Sequence, residues 1–85
     1  MFEINAKYEF EKIDENLVAI NAEDEKVIVF GKIEQFILEH IVTTSEEELI
    51  RILKNEYGDE EKIENDVYEF VEELIREKII LLKEG

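Results

Sequence analysis

His40 is the single histidine of this 85-residue chain, and there is no cysteine for it to work with. Nucleophilic and acid–base catalysis need a nucleophile held beside a positioned base. No serine here stands in a nucleophile motif. A lone histidine late in an amphipathic helix reads as a last-turn or packing residue. Carboxylates are the abundant alternative, and Glu46-Glu47-Glu48 and Asp59-Glu60-Glu61 are dense runs of them. They could hold a divalent ion loosely, yet neither has the D-x-D-x-D-G-x-x-x-x-x-E spacing of a calcium loop. The three glycines form no phosphate-cradling pattern. The expectation is therefore a chain that is not an enzyme and has neither metal nor cofactor, whose chemistry lies in binding.

Charge decides what it can bind. Twenty-four acidic residues oppose ten basic ones, for a net charge of −14, and no Lys/Arg cluster interrupts the acidic pattern. Nucleic-acid affinity comes mostly from neutralised phosphates, so no duplex binding is expected at physiological salt, and a shift assay checks this. Anionic membrane surfaces are disfavoured for the same reason. A basic or neutral peptide partner is tolerated or attracted. No apolar run approaches about 18 residues, and the start M-F-E-I-N-A-K has no basic region leading into an apolar one, so neither a membrane span nor a signal peptide is expected. The lack of cysteine fits a reducing, cytoplasmic setting. Residues 1–85 are expected to form one domain around one core, since a chain of this size buries somewhat over about 60% of its unfolded surface.

The elements that must present a binding surface follow from periodicity. Tyr8 and Phe10 alternate with Lys7, Glu9 and Glu11, which predicts a half-buried strand over Tyr8–Lys12. Two more strands are predicted at Leu17–Ile20 and Lys26–Phe30, separated by polar turns. Strands so closely spaced form an antiparallel meander, with the third most simply at an edge. Gly31 ends it, and a helix over Ile33–Ile41 follows with Ile33, Phe36, Ile37 and Ile41 as its stripe. Val42-Thr43-Thr44 breaks that helix, and Ser45 with Glu48 supplies a capping box for the next, Glu46–Tyr57. Its buried side is Leu49, Ile52, Leu53 and Tyr57, and Gly58 stands at a natural C′ position. The third helix, near Ile63–Glu77, carries the strongest stripe, Ile63, Val67, Phe70, Val71, Leu74 and Ile75. The apolar tail Ile79-Ile80-Leu81-Leu82 is either a last strand or packed coil.

Two features exceed what a core requires. The third strand is apolar on both faces, Ile28 and Phe30 on one and Val27 and Val29 on the other, and only Lys26 blunts it. It is either buried on both sides or an edge kept open for an added strand. The third helix also has a spare flank of Tyr68, Glu72, Ile75 and Ile79. The expected binding site is Val27, Ile28 and Val29 together with that flank.

Three strands followed by three helices, winged helix-turn-helix-like in order and α+β in class, resemble the PqqD-like family. These domains are also known as RiPP recognition elements. The resemblance is carried by E-N-L-V-A-I-N, by V-I-V-F-G-K-I-E-Q-F-I-L-E-H-I, by S-E-E-E-L-I-R-I-L-K-N-E-Y-G and by N-D-V-Y-E-F-V-E-E-L-I-R-E-K-I-I. Asp66, Val67, Phe70 and Leu74 match the family pattern best, and the likeness spans Lys7 to about Leu81. The chain departs from it at Val29-Phe30-Gly31, at Val42-Thr43-Thr44 where Asp-Gly is common, and at Lys78 where Gly is usual. The resemblance implies a domain that binds the leader of a ribosomally made precursor peptide as an extra antiparallel strand and passes it to a partner enzyme. That partner would be a leader peptidase, as in lasso-peptide systems, or a radical SAM enzyme or cyclodehydratase. Two other readings are an unrelated protein-interaction or dimerisation module and a winged-helix DNA binder, the latter opposed by the acidic surface.

Overall fold

Alternation of apolar and polar residues folds the first third of the chain into strands, and a 3.6-residue period folds most of the rest into helices. The computed structural model describes residues 2–58 and 61–83. In order the elements are β1 (Phe2–Ile4), β2 (Glu9–Ile13), β3 (Asn16–Asn21), β4 (Lys26–Phe30), α1 (Lys32–His40), α2 (Glu46–Tyr57), α3 (Glu61–Arg76) and β5 (Ile80–Leu82). The α+β class and the meander hold, and β4 lies at the edge of the β2-β3-β4 sheet.

Register places the core on one side of that sheet. Phe10 pairs with Ala19 and Ala19 with Ile28, while Leu17 pairs with Phe30, so these five share one face. Ala19 and Phe30 are buried, and the other three pack around them. The first turn is the two residues Asp14 and Glu15, with Asp14 at φ 57. In the second turn Asn21 is buried. Its Nδ2 donates to Asp24 Oδ2 at 3.2 Å and its Oδ1 accepts the Asp24 N–H at 3.2 Å, so a buried amide is satisfied locally.

The helices start on side-chain oxygens. Glu34 Oε1 accepts the Gly31 N–H at 2.9 Å ahead of α1, and Ser45 Oγ accepts the Glu48 N–H at 3.2 Å at the start of α2. The buried stripe of α3, Val67, Phe70, Val71 and Leu74, joins Ile37 and Leu38 of α1, its C-cap Ile41, and Leu49, Ile50 and Leu53 of α2 in one core. Phe70 meets Phe30 edge to face, with centroids 5.8 Å apart and planes at 81°. Two expectations are corrected here. Ile33 is 45% exposed and Tyr57 is 53% exposed, while Leu38 and Ile50 take inward positions. Each exposed residue stands in a terminal turn of its helix, Ile33 in the first of α1 and Tyr57 in the last of α2.

The end of α3 is a Schellman turn. The Lys78 N–H donates to the Ile75 carbonyl at 3.0 Å and the Ile79 N–H to the Leu74 carbonyl at 2.9 Å, with Lys78 at φ 59. That left-handed residue explains why glycine suits this position. The chain then enters β5, which settles the apolar tail as a strand. β5 pairs antiparallel with β1, Phe2 opposite Leu82 and Ile4 opposite Ile80. β1 is a strand that the sequence pattern does not disclose: three residues are too few for a periodic signal, and the partner is at the far end of the chain. The Asn5 N–H donates to the Ile79 carbonyl at 2.9 Å, Asn5 Nδ2 to the Lys78 carbonyl at 2.7 Å, and the Tyr8 hydroxyl to the Glu77 carbonyl at 2.8 Å. The carbonyls freed at the end of α3 are thus taken up by the N-terminal segment.

Candidate functional site

β4 presents its main chain on the side away from β3, because no strand of the sheet covers that side. Val27 and Val29 point to the outer face and are 65% and 59% exposed. Ile28 is half-buried against the core, so its contribution to an added strand is main chain. A long apolar edge left uncovered is a template for another chain. β4 and α3 run in opposite directions past one another. Phe30 meets Phe70 at one end, and Lys26 Nζ meets Glu77 Oε2 at 2.7 Å at the other. That carboxylate raises the Lys26 amino group above its ordinary range, through the hydrogen bond first and its charge second.

Beyond Phe30 the chain turns at Gly31 into α1. The first turn of α1 and the adjacent side of α3 enclose a cleft of 340 Å³ whose walls include Ile33, Glu34, Asp66, Glu69 and Glu73, with Phe70 at its base. The cleft therefore has an apolar patch and four carboxylates. The strand edge leads into it.

The sequence-derived helix residues are elsewhere. At about 100° per residue, Tyr68, Glu72 and Ile75 lie on the side of α3 roughly opposite to Asp66, Glu69 and Glu73. Electrostatics agrees with the geometry. The Tyr68 phenol is pushed up by partial desolvation and then by the carboxylates of Glu47, Glu64 and Glu46. The Glu46 carboxyl is likewise pushed up, by burial first, then by Glu47 and by Glu72. This flank faces the first turn of α2, not β4. Ile79 is corrected outright: it is 1% exposed, because the Schellman turn folds it back onto Leu74. So Ile33, Asp66, Glu69 and Glu73 line one cleft on the side of α3 that meets β4 through Phe30–Phe70 and Lys26–Glu77, and Tyr68, Glu72, Ile75 and Ile79 do not line it. The missed carboxylates carried a signal, since spacings of three and four put them on one line, but an acidic line on an acidic helix does not stand out. Ile33 fits the core stripe by spacing, and only its place in the first turn of α1 leaves it exposed.

His40 closes α1. Its ring stacks on Phe36 with centroids 4.3 Å apart, and Nδ1 lies 2.8 Å from the Phe36 carbonyl, which can only accept, so Nδ1 carries the proton. Among the described residues no group of three or more acidic or histidine side chains is placed to hold a metal ion. No described helix is long and apolar enough to cross a membrane.

Comparison with known proteins supplies the wider frame. One solved structure, "Lasso peptide synthetase B1 complexed with the leader peptide", superposes with a TM-score of 0.84 at 17% identity, covering 95% of this chain and 98% of that one. A second, "TbiB1 in Complex with the TbiA(beta) Leader Peptide", gives 0.79 at 15% identity, over 98% and 99% of the two chains. At these identities the likeness establishes a common fold. A comparison with curated proteins returns no match. The family model for coenzyme PQQ synthesis protein D matches residues 16–80, from the first residue of β3 to the first of β5. With well over half its length matched, the chain belongs to the PqqD family.

Proposed function

We propose that this protein binds the leader segment of a ribosomally made precursor peptide by adding it as a strand to β4, and that it delivers the bound precursor to a modifying enzyme or leader peptidase. The observation that carries this is the open β4 edge, apolar on both faces, leading into a cleft walled by α3. Main-chain pairing along an edge gives affinity with little demand on side chains, and the cleft gives selectivity. Membership of the PqqD family and the shared fold of two leader-bound proteins support the same reading. The role is binding rather than catalysis. The one histidine is committed to Phe36, and no serine stands in a nucleophile motif. Such a protein works in the cytoplasm, where its ribosomal substrate is made.

The test is a titration with candidate leaders encoded beside the gene, read by hydrogen exchange and by affinity. The outward-pointing amides of β4 are expected to become protected on binding. Leaders N-methylated at the alternate residues that donate to β4 should bind weaker, by about 1 kcal/mol or more per lost bond. Methylation at the intervening residues should do much less. Saturable binding that leaves the β4 amides unprotected would sink strand addition.

A further inference from the structure

The groove between β4 and α3 changes sign along its length. At the end where β4 runs into α1, Glu34, Asp66, Glu69 and Glu73 line the cleft, and no lysine or arginine is among its walls. At the other end a second hollow of 410 Å³ is bordered by Lys7, Lys26, Arg76 and Lys78 against Asp24 and Glu77. Ten basic residues are spread over the whole chain, so four around one hollow is a concentration the average surface does not have. Lys26 and Glu77 largely neutralise one another at 2.7 Å, and Lys7 leans to Glu23 at 3.7 Å. Arg76 and Lys78 make no ion pair among the described residues, so their charge is available to a ligand. The two ends lie on one flank of α3, because Asp66, Glu69, Glu73 and Arg76 follow one another at spacings of three and four.

We propose that this sign change makes the groove read the direction of its peptide: it takes a leader with a basic residue toward its N-terminus and an acidic residue about four positions later, both facing α3. This rests on strand addition to β4. An antiparallel partner of β4 places its N-terminal half opposite Phe30, at the acidic end, and its C-terminal half opposite Lys26, at the basic end. Antiparallel pairing is also the slightly stronger kind per residue. The spacing follows from geometry. Arg76 is seven helical residues from Glu69 and ten from Asp66, about 10–15 Å along the axis. An extended strand covers that distance in about four residues, and residues four apart point to the same face. A peptide inserted in the parallel sense, or with its two charges exchanged, would set carboxylate against carboxylate and cation against cation. The many acidic residues elsewhere attract any basic peptide, whereas this arrangement orders the charges.

The experiment uses the whole chain and a displayed library of random twelve-residue peptides. Enriched sequences are expected to carry Lys or Arg about four residues before Asp or Glu. A synthetic peptide from that set should bind about tenfold more tightly than the same peptide with the two charges exchanged, and the gap should close as salt is raised toward 1 M. The double variant Glu69→Lys/Glu73→Lys, which alters only exposed positions, should replace the N-terminal basic preference by an acidic one. The peptide comparison itself needs no variant. Exchanged-charge peptides that bind as tightly, while still protecting the β4 amides, overturn the directional reading and leave strand addition standing. A selection that yields no binder, or binders that leave those amides unprotected, overturns both.

Discussion

The two flanks of α3 differ in a way that the helix alone cannot explain. One carries Tyr68, Glu72 and Ile75 and faces the first turn of α2, where Glu46 and Glu47 crowd it with like charge. The other carries Asp66, Glu69 and Glu73 and walls the cleft beside β4 and α1. The first is the more apolar, and by composition alone it is the better candidate for a binding surface. The second is the one the fold sets beside an open strand. The lesson is that periodicity finds the buried stripe of a helix and is silent about its two borders. Which border meets which neighbour is decided by how the other elements pack.

The largest effect should come from removing the residue that joins α3 to the sheet. Phe70 is buried and meets Phe30 edge to face. Phe70→Ala is expected to destabilise the fold by about 3–5 kcal/mol, read as a lower urea midpoint. That is a large share of the stability of so small a domain. A loss under about 1 kcal/mol would mean that β4 and α3 are held together by something other than this contact.

A matched pair then separates the flanks. Ile33 in the cleft and Ile75 on the far flank are both isoleucines, and both are 45% exposed. Ile33→Asp should weaken leader binding by about 1–3 kcal/mol, the range of an interface anchor. It adds an acid to the first turn of α1, which suits the helix dipole, so folding should hold. Ile75→Asp, Tyr68→Ala and Glu72→Lys should each change affinity by under about 0.5 kcal/mol. If calorimetry finds Ile75→Asp the more damaging of the isoleucine pair in folded protein, the leader lies on the α2 side and the site described above is misplaced.

Much of this was legible in the residues. The boundaries of β4 and α2 follow directly from a short apolar run between a polar turn and Gly31 and from a capped stripe with spacings of three and four bounded by Gly58. The edge position of β4 follows from short loops, and His40 as a last-turn residue from its place in α1. The strand β1 was not legible, since Phe2–Ile4 gains its identity only by pairing across the whole chain. Nor was the choice of flank, which needs Phe30 to sit over Phe70 and Lys26 to reach Glu77. Ile79 misled for a local reason: extrapolating the helix places it beside Ile75, but α3 ends at Arg76 and Lys78 reverses the chain.

That reversal is the place where the two flanks cease to be flanks, and it carries a measurable strain. Lys78 holds φ 59, a conformation that costs a side-chain-bearing residue about 1–2 kcal/mol relative to the right-handed region. The hydrogen bonds of the turn are all main chain, from Lys78 to Ile75 and from Ile79 to Leu74, so they survive substitution. Lys78→Gly relieves the strain but gives the unfolded chain more freedom, which takes back about 0.5–1 kcal/mol. The expected net gain is about 0.5–1 kcal/mol, or a few degrees in thermal midpoint for a domain of this size. The change also removes one cation from a chain of net charge −14, which trims the gain through self-repulsion. Lys78→Ala controls for charge, because it loses the same cation and keeps the Cβ that strains the turn. Glycine above alanine in urea midpoint, by more than the uncertainty of the fits, locates the stored strain at residue 78. Equal midpoints for the two variants would show that the turn holds no strain, and that the glycine usual in this family serves something other than backbone conformation.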